Sequence, residues 1–263
     1  METQYTAPTA IPPPLRQWIR TTENRCVPEQ IPVYWKTHEV ITILADIGMY
    51  NSDLFNSLDD AEKEQVFLLK SSYFKKRFTL SRCIIRHILQ YIPGNLSDLV
   101  LVREKNRRVR VDTRNDIFLS LSYSGSSIAV TVGKRKIGSD IEIVHPQEIR
   151  KIQSSPLYEG MGYSSEKERI QRIFHLWTLV EAYAKLHDMT PYSLLSARCF
   201  PPDASMVSYC VDHTAILSIA YEGKTLQDTL LWIDPACRLA SSTSDKEPAC
   251  PLPLIDGDTY VRA

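Results

Sequence analysis

The sequence predicts an α+β fold of two similar α+β halves packed together, with a cleft at their junction. Three observations predict it. A helical stretch at 57–91 follows a β-branched strand at Val40–Ala45 and precedes two strands between 117 and 132. A second helical stretch, 165–187, follows an acidic strand at 137–144 and precedes another strand pair, 207–211 and 215–220. The turn at 133–136 separates the two series, although no sequence repeat links them. The expected division is a Pro-rich leader (1–36), an N-terminal half (37–136), a C-terminal half (137–235) and a flexible tail (236–263).

The leader carries Pro8, Pro12, Pro13, Pro14, Pro28 and Pro32, a density that predicts no regular element there. Val40-Ile41-Thr42-Ile43-Leu44-Ala45 reads as a buried strand. Ser57-Leu58-Asp59-Asp60-Ala61-Glu62 has the form of a helix start, with Ser57 as cap and acids in the first turn. Two helices follow, since Phe78, Ile84, Ile85, Ile88 and Leu89 recur at helical spacing while Lys75, Lys76, Arg77, Arg82 and Arg86 cover other faces. Pro93-Gly94 ends this run. Short strands at 99–102 and 108–111 flank a basic turn, and Ser124-Gly125-Ser126 joins strands 118–122 and 127–132. The second helix starts at a Ser164-Ser165-Glu166 cap and ends with Lys185 and His187, which suit its dipole. Leu230-Leu231-Trp232 predicts an edge strand, and the Ser, Pro and Asp content after Cys237 predicts loose order.

Composition bounds the partners. The 263 residues suffice for a real core, and 43% apolar with 24% charged is ordinary for a globular protein. Zero net charge argues against nucleic acid and anionic membrane as bulk partners. No apolar run matches a membrane span and no signal pattern opens the chain. The six cysteines contain no Cys-x-x-Cys pair and the histidines no metal spacing, so zinc and dithiol chemistry are not indicated. A cytoplasmic monomer with reduced thiols is expected.

The chemistry concentrates at Lys136-Ile137-Gly138-Ser139-Asp140-Ile141-Glu142-Ile143-Val144. Period-two alternation puts Asp140 and Glu142 on one strand face and the isoleucines on the other. Adjacent acids repel, so the pair reads either as a cation site or as the solvent face of an edge strand. Glu181 and Lys185 lie one helical turn apart, the spacing of a surface ion pair or of two groups aimed at one ligand.

These segments, taken together, resemble a known family. Ile-Gly-Ser-Asp-Ile-Glu at 137–142 and Trp-Thr-Leu-Val-Glu-Ala-Tyr-Ala-Lys at 177–185 are similar to two signature motifs of 4′-phosphopantetheinyl transferases of the single-chain, surfactin-type class. Lys-Arg-Phe-Thr-Leu-Ser-Arg-Cys-Ile-Ile-Arg at 76–86 resembles that family's arginine helix, and Ser-Leu-Ser-Tyr-Ser-Gly at 120–125 its Asn-Ile-Ser-His-Ser segment. The four stand in the family's order and cover about residues 40–220.

The resemblance implies an α+β pseudo-dimer with the active site at the junction of its halves, and transfer of phosphopantetheine from coenzyme A to a serine of an apo-acyl or peptidyl carrier protein. It implies Asp140, Glu142 and Glu181 as ligands of Mg²⁺, with Mn²⁺ as an alternative, and Lys185 on a phosphate oxygen. Arg77, Arg107, Ser122 and Tyr123 would bind the nucleotide, and Glu181 or a metal-bound water would take the serine proton. Two positions depart from the family pattern. Tyr123 stands in place of a phosphate-contacting His, and Val180 in place of a Lys. These departures keep open a weakened relative that binds coenzyme A or a carrier, and the same three acids would also suit a metal-dependent phosphodiester hydrolase.

Overall fold

The computed structural model describes residues 13–93, 100–103, 109–112, 114, 116–146, 162–195, 203–223 and 228–233. Over these residues the fold is α+β, with helices packed against two sheets. The first sheet begins with β2 (Val40–Asp46), whose apolar run is buried on both faces. Helices α2 (Asp60–Leu68) and α3 (Ser72–Tyr91) follow, then β3 (Leu101–Arg103), β4 (Val109–Val111), β5 (Phe118–Ser124) and β6 (Ser127–Gly133). The second sheet begins with β7 (Ile137–Ile143), followed by α4 (Glu166–Leu186), the short α5 (Pro191–Leu195), β8 (Ala204–Val211) and β9 (Ala215–Glu222). Each sheet is thus founded on a strand, helix and hairpin, with the first strand antiparallel to the last: β2 on β6, and β7 on β9.

Two of the local expectations change. The Pro-rich leader is not devoid of regular structure. Leu15–Trp18 forms β1, parallel to β8, and α1 (Ile31–Thr37) has its proline within the first turn, where a missing N–H costs nothing. The cap of α2 is Asp59, not Ser57. Asp59 accepts from the Glu62 amide at 2.8 Å while Glu62 Oε2 accepts from the Asp59 amide at 3.3 Å, a capping box. The Ser57 hydroxyl instead donates to the Leu54 carbonyl. The expected C-terminal strand is present as β10 (Asp228–Trp232), at the edge of the first sheet and parallel to β2. The sheet orders are β10-β2-β6-β5-β4-β3 and β1-β8-β9-β7.

Among the described residues, three apolar clusters fill the fold. The first lies between α3 and the first sheet and holds Ile84, Ile85 and Ile88, all without solvent exposure. Each stabilises the fold by about 1.5–3 kcal/mol relative to an exposed position. The second packs α4 against the second sheet through Phe174, Leu179, Val180, Ile216 and Ala220. The third joins the two sheets, setting Val40, Leu44 and Ala129 with Ile137, Ile141 and Leu217. No helix among the described residues is long and apolar enough to cross a membrane.

Candidate active site

The site is built where α4 crosses β7. Helix and strand approach so closely there that a Cβ on Gly138 would stand 2.0 Å from the Ala182 carbonyl oxygen and 2.5 Å from the Leu186 nitrogen. Only a residue without a side chain lets α4 lie at this height, and the turn of α4 above it carries Glu181 and Lys185. Gly138, Asp140 and Glu142 alternate onto one side of β7, so the same approach brings Asp140 beneath that turn.

The other edge of β7 is held by β5. Amides 139, 141 and 143 of β7 donate to the hydroxyls of Ser120, Ser122 and Ser124, at 2.8, 3.1 and 2.9 Å. This serine ladder replaces a neighbouring strand at a buried edge, where an unpaired amide would be costly. Two of the same hydroxyls then aim the acids. Ser122 donates to Asp140 Oδ1 and Ser124 to Glu142 Oε2, both at 2.7 Å. Neither Ser120 nor Ser124 stands out as a site residue in the sequence, although the Ser-x-Ser-x-Ser alternation marks one face of β5.

The electrostatics are those of charges held together at a cost. Lys185 donates to Asp140 Oδ1 at 2.7 Å and to the Ser139 carbonyl at 3.0 Å. Asp140 Oδ2 is buried and has no hydrogen-bond partner. Burial first, and the nearby Asp140 second, raise the Glu181 carboxyl to about 7, with Lys185 opposing them.

Glu181 and Lys185 open into a cleft of about 850 Å³. Its walls include Arg77, Phe74 and Arg82 from α3, Tyr123 from β5, and the segment 188–192 after α4. Four of the residues expected from the sequence therefore meet in one cavity: Arg77, Tyr123, Glu181 and Lys185. Asp140 reaches it through Lys185. Glu142 and Ser122 stand behind it on the ladder, and Arg107 lies outside the described residues. The arginines of α3 divide their tasks. Arg82 faces Glu62 at 3.6 Å, and Arg86 binds Asp59 and Glu62 at 2.5 and 2.8 Å. Val180, where the resemblance leads one to expect a lysine, is buried in the apolar cluster under α4 and does not line the cleft.

Among the described residues no group of three acidic, histidine or cysteine side chains is preassembled as a metal cage. The donor set nevertheless fits Mg²⁺. That ion is held by one or two carboxylates with water and substrate phosphate, not by an all-protein cage. The buried Asp140 Oδ2, which has no hydrogen-bond partner, is the oxygen that fits such an ion.

The fold is α+β, and its cleft brings the Glu181 carboxyl together with the cations Arg77, Arg82 and Lys185. No protein-family model matches the chain. Among curated proteins it is similar to the 4′-phosphopantetheinyl transferase psf-1 of Bacillus pumilus, 25% identical over 115 residues. The match covers 42% of this chain and 49% of that relative, so it spans about half of the relative's length.

Proposed function

We propose that this chain is a phosphopantetheinyl transferase of the surfactin-type class, its two strand–helix–hairpin units being halves of a pseudo-dimer. It moves 4′-phosphopantetheine from coenzyme A to a serine hydroxyl of an apo-acyl or peptidyl carrier protein and releases adenosine 3′,5′-bisphosphate. The observation that carries this reading is the convergence of Asp140, Glu181 and Lys185 at a cleft that also holds Arg77. The likeness to the Bacillus pumilus transferase supports it.

Asp140 and Glu181, with Glu142 behind them, would hold Mg²⁺ or Mn²⁺, which supplies charge neutralisation on the pyrophosphate. The chain's own residues do the rest. Lys185 exchanges Asp140 for a pyrophosphate oxygen and stabilises the charge developing there. The serine oxygen forms a bond to the phosphorus of the pantetheine phosphate as the pyrophosphate P–O bond breaks. Glu181 accepts the serine proton, and the electron pair leaves on adenosine bisphosphate. The Arg77 guanidinium binds the adenosine 3′-phosphate.

A second reading, a relative that binds coenzyme A or a carrier without turnover, has one observation in its favour. The Tyr123 hydroxyl donates to Ser81 at 3.0 Å and so is not offered to a phosphate. The test is mass spectrometry of apo-carriers of fatty-acid, polyketide and peptide-synthetase type, incubated with the protein, coenzyme A and Mg²⁺. A phosphopantetheine gain on serine that is lost in Glu181→Gln is the expected result. Coenzyme A binding with no gain on any carrier would establish the second reading instead. Loss of the group from a holo-carrier would mark a hydrolase.

A further inference from the structure

Arg77 is a half-buried cation on the wall of the cleft, with no carboxylate partner among the described residues. Three aromatic rings hold it instead. Its guanidinium carbon lies 4.4 Å from the Tyr123 ring centroid, 4.8 Å from that of Phe74 and 5.6 Å from that of Tyr73. Each wall of this cage is itself anchored. The Tyr123 hydroxyl donates to Ser81, one turn beyond Arg77 on α3, and Ser81 donates to the Phe78 carbonyl. The Tyr73 hydroxyl donates to the Gly125 carbonyl, and Tyr73 meets Phe74 edge-on at 5.4 Å.

Contact with ring faces neutralises none of the guanidinium charge and uses no oxygen acceptor. The guanidinium keeps its charge and its planar fork of N–H donors, the chemistry that matches a phosphate. A carboxylate in place of the rings would have consumed that fork and its charge. We infer that Tyr73, Phe74 and Tyr123 form an aromatic cage that presets Arg77 for a terminal phosphate monoester, making Tyr123 a positioning residue. This rests on the proposed function, and it gives the aromatic residue at position 123 a task. Tyr123 acts on the 3′-phosphate through Arg77 rather than by its own hydroxyl.

The test is calorimetric titration of the full chain with coenzyme A and with 3′-dephospho-coenzyme A. The wild type binds coenzyme A more tightly, and Arg77→Ala removes the preference. Tyr123→Ala lowers coenzyme A affinity about tenfold, the scale of one cation–π or charge-assisted contact, with the loss confined largely to the 3′-phosphorylated ligand. Tyr123→Phe, which keeps the ring and drops the hydroxyl, retains most of the preference. A preference that Arg77→Ala abolishes but Tyr123→Ala and Phe74→Ala leave intact would overturn the cage while sparing the proposed function. Absence of binding to either ligand by the wild type would overturn both.

Discussion

Glu181 and His175 both sit on α4 and carry opposite pH dependences. Burial, then Asp140, raises the Glu181 carboxyl to about 7. The folded state therefore holds that proton more tightly than the unfolded chain. The resulting stability is full below the ordinary carboxylate pKa and is lost as pH rises through about 7. In metal-free buffer, Glu181→Gln should melt with the wild type at pH 5 and several degrees above it at pH 8. An equal difference at both pH values would show that this carboxyl does not titrate in the window. His175 is the reverse case. It is 8% exposed, its Nε2 has no hydrogen-bond partner, and burial, then Arg172, lowers it to about 4. Its contribution is full above the ordinary histidine pKa and is lost as pH falls through about 4, a range on the order of 3 kcal/mol. Urea midpoints between pH 7.5 and 4.5 should fall less steeply in His175→Gln than in the wild type.

Strand β7 and helix α4 make the site at the scale of elements, and their contact depends on one missing side chain. Gly138→Ala places a methyl against the backbone of α4, which cannot yield as a flexible side chain would. The expected cost is about 1–3 kcal/mol or more, with α4 lifted from Asp140 and transfer lost. Chemical denaturation and the carrier mass assay read the two effects; a stable, active variant would contradict the close approach. Ser122→Ala removes the acceptor of the Ile141 amide and a donor to Asp140 at once. It should cost about 1–3 kcal/mol, more than the same change at an exposed serine. The sequence exposes some of this directly. Alternation at 137–143 marks the strand and its acids, and the spacing of Glu181 and Lys185 puts both on one side of a helix. It does not expose what depends on distant partners. The serines of β5 look like an ordinary strand face until the edge of β7 lies along them. Arg77 looks like part of a solvated basic run until Tyr123 arrives from a strand forty-six residues later. Val180 looks like a deficit in the site until its side chain is seen in the core. The leader misleads for a related reason: its prolines forbid a helix interior but not a short edge strand, whose partner β8 lies at the far end of the chain.

The whole molecule is tied by exchange of edge strands. β1 precedes the first sheet but pairs in the second, and β10 follows the second sheet but pairs in the first. The segment between β1 and α1 continues the tie. The Asp212 amide donates to the Trp18 carbonyl at 2.9 Å, and Arg20 pairs with Asp212 at 2.7 Å. Further along, the Trp232 indole donates to the Thr21 carbonyl and the Cys26 amide to the Trp232 carbonyl, both at 2.7 Å. Residues 15–26 are therefore a strap from β8 to β10, across both sheets, over the shared apolar cluster of Val40, Leu44, Ile141 and Leu217. Neither sheet completes its edges without chain from the other end of the sequence. The cleft is formed by α3 and β5 on one side and α4 on the other, so its geometry depends on that tie. Unfolding should accordingly be one transition, with calorimetric and van't Hoff enthalpies in agreement. A protease site placed in the turn at 134–136 should give two fragments that elute together and still bind coenzyme A. Deleting residues 1–26 exposes the edges of β8 and β10 and removes Cys26 from the first core. That variant should lose its single transition, or melt well below the full chain, and lose coenzyme A affinity although no cleft residue is touched. Two separate transitions in the intact chain would show that the halves fold independently and that the strap is not what holds the cleft closed.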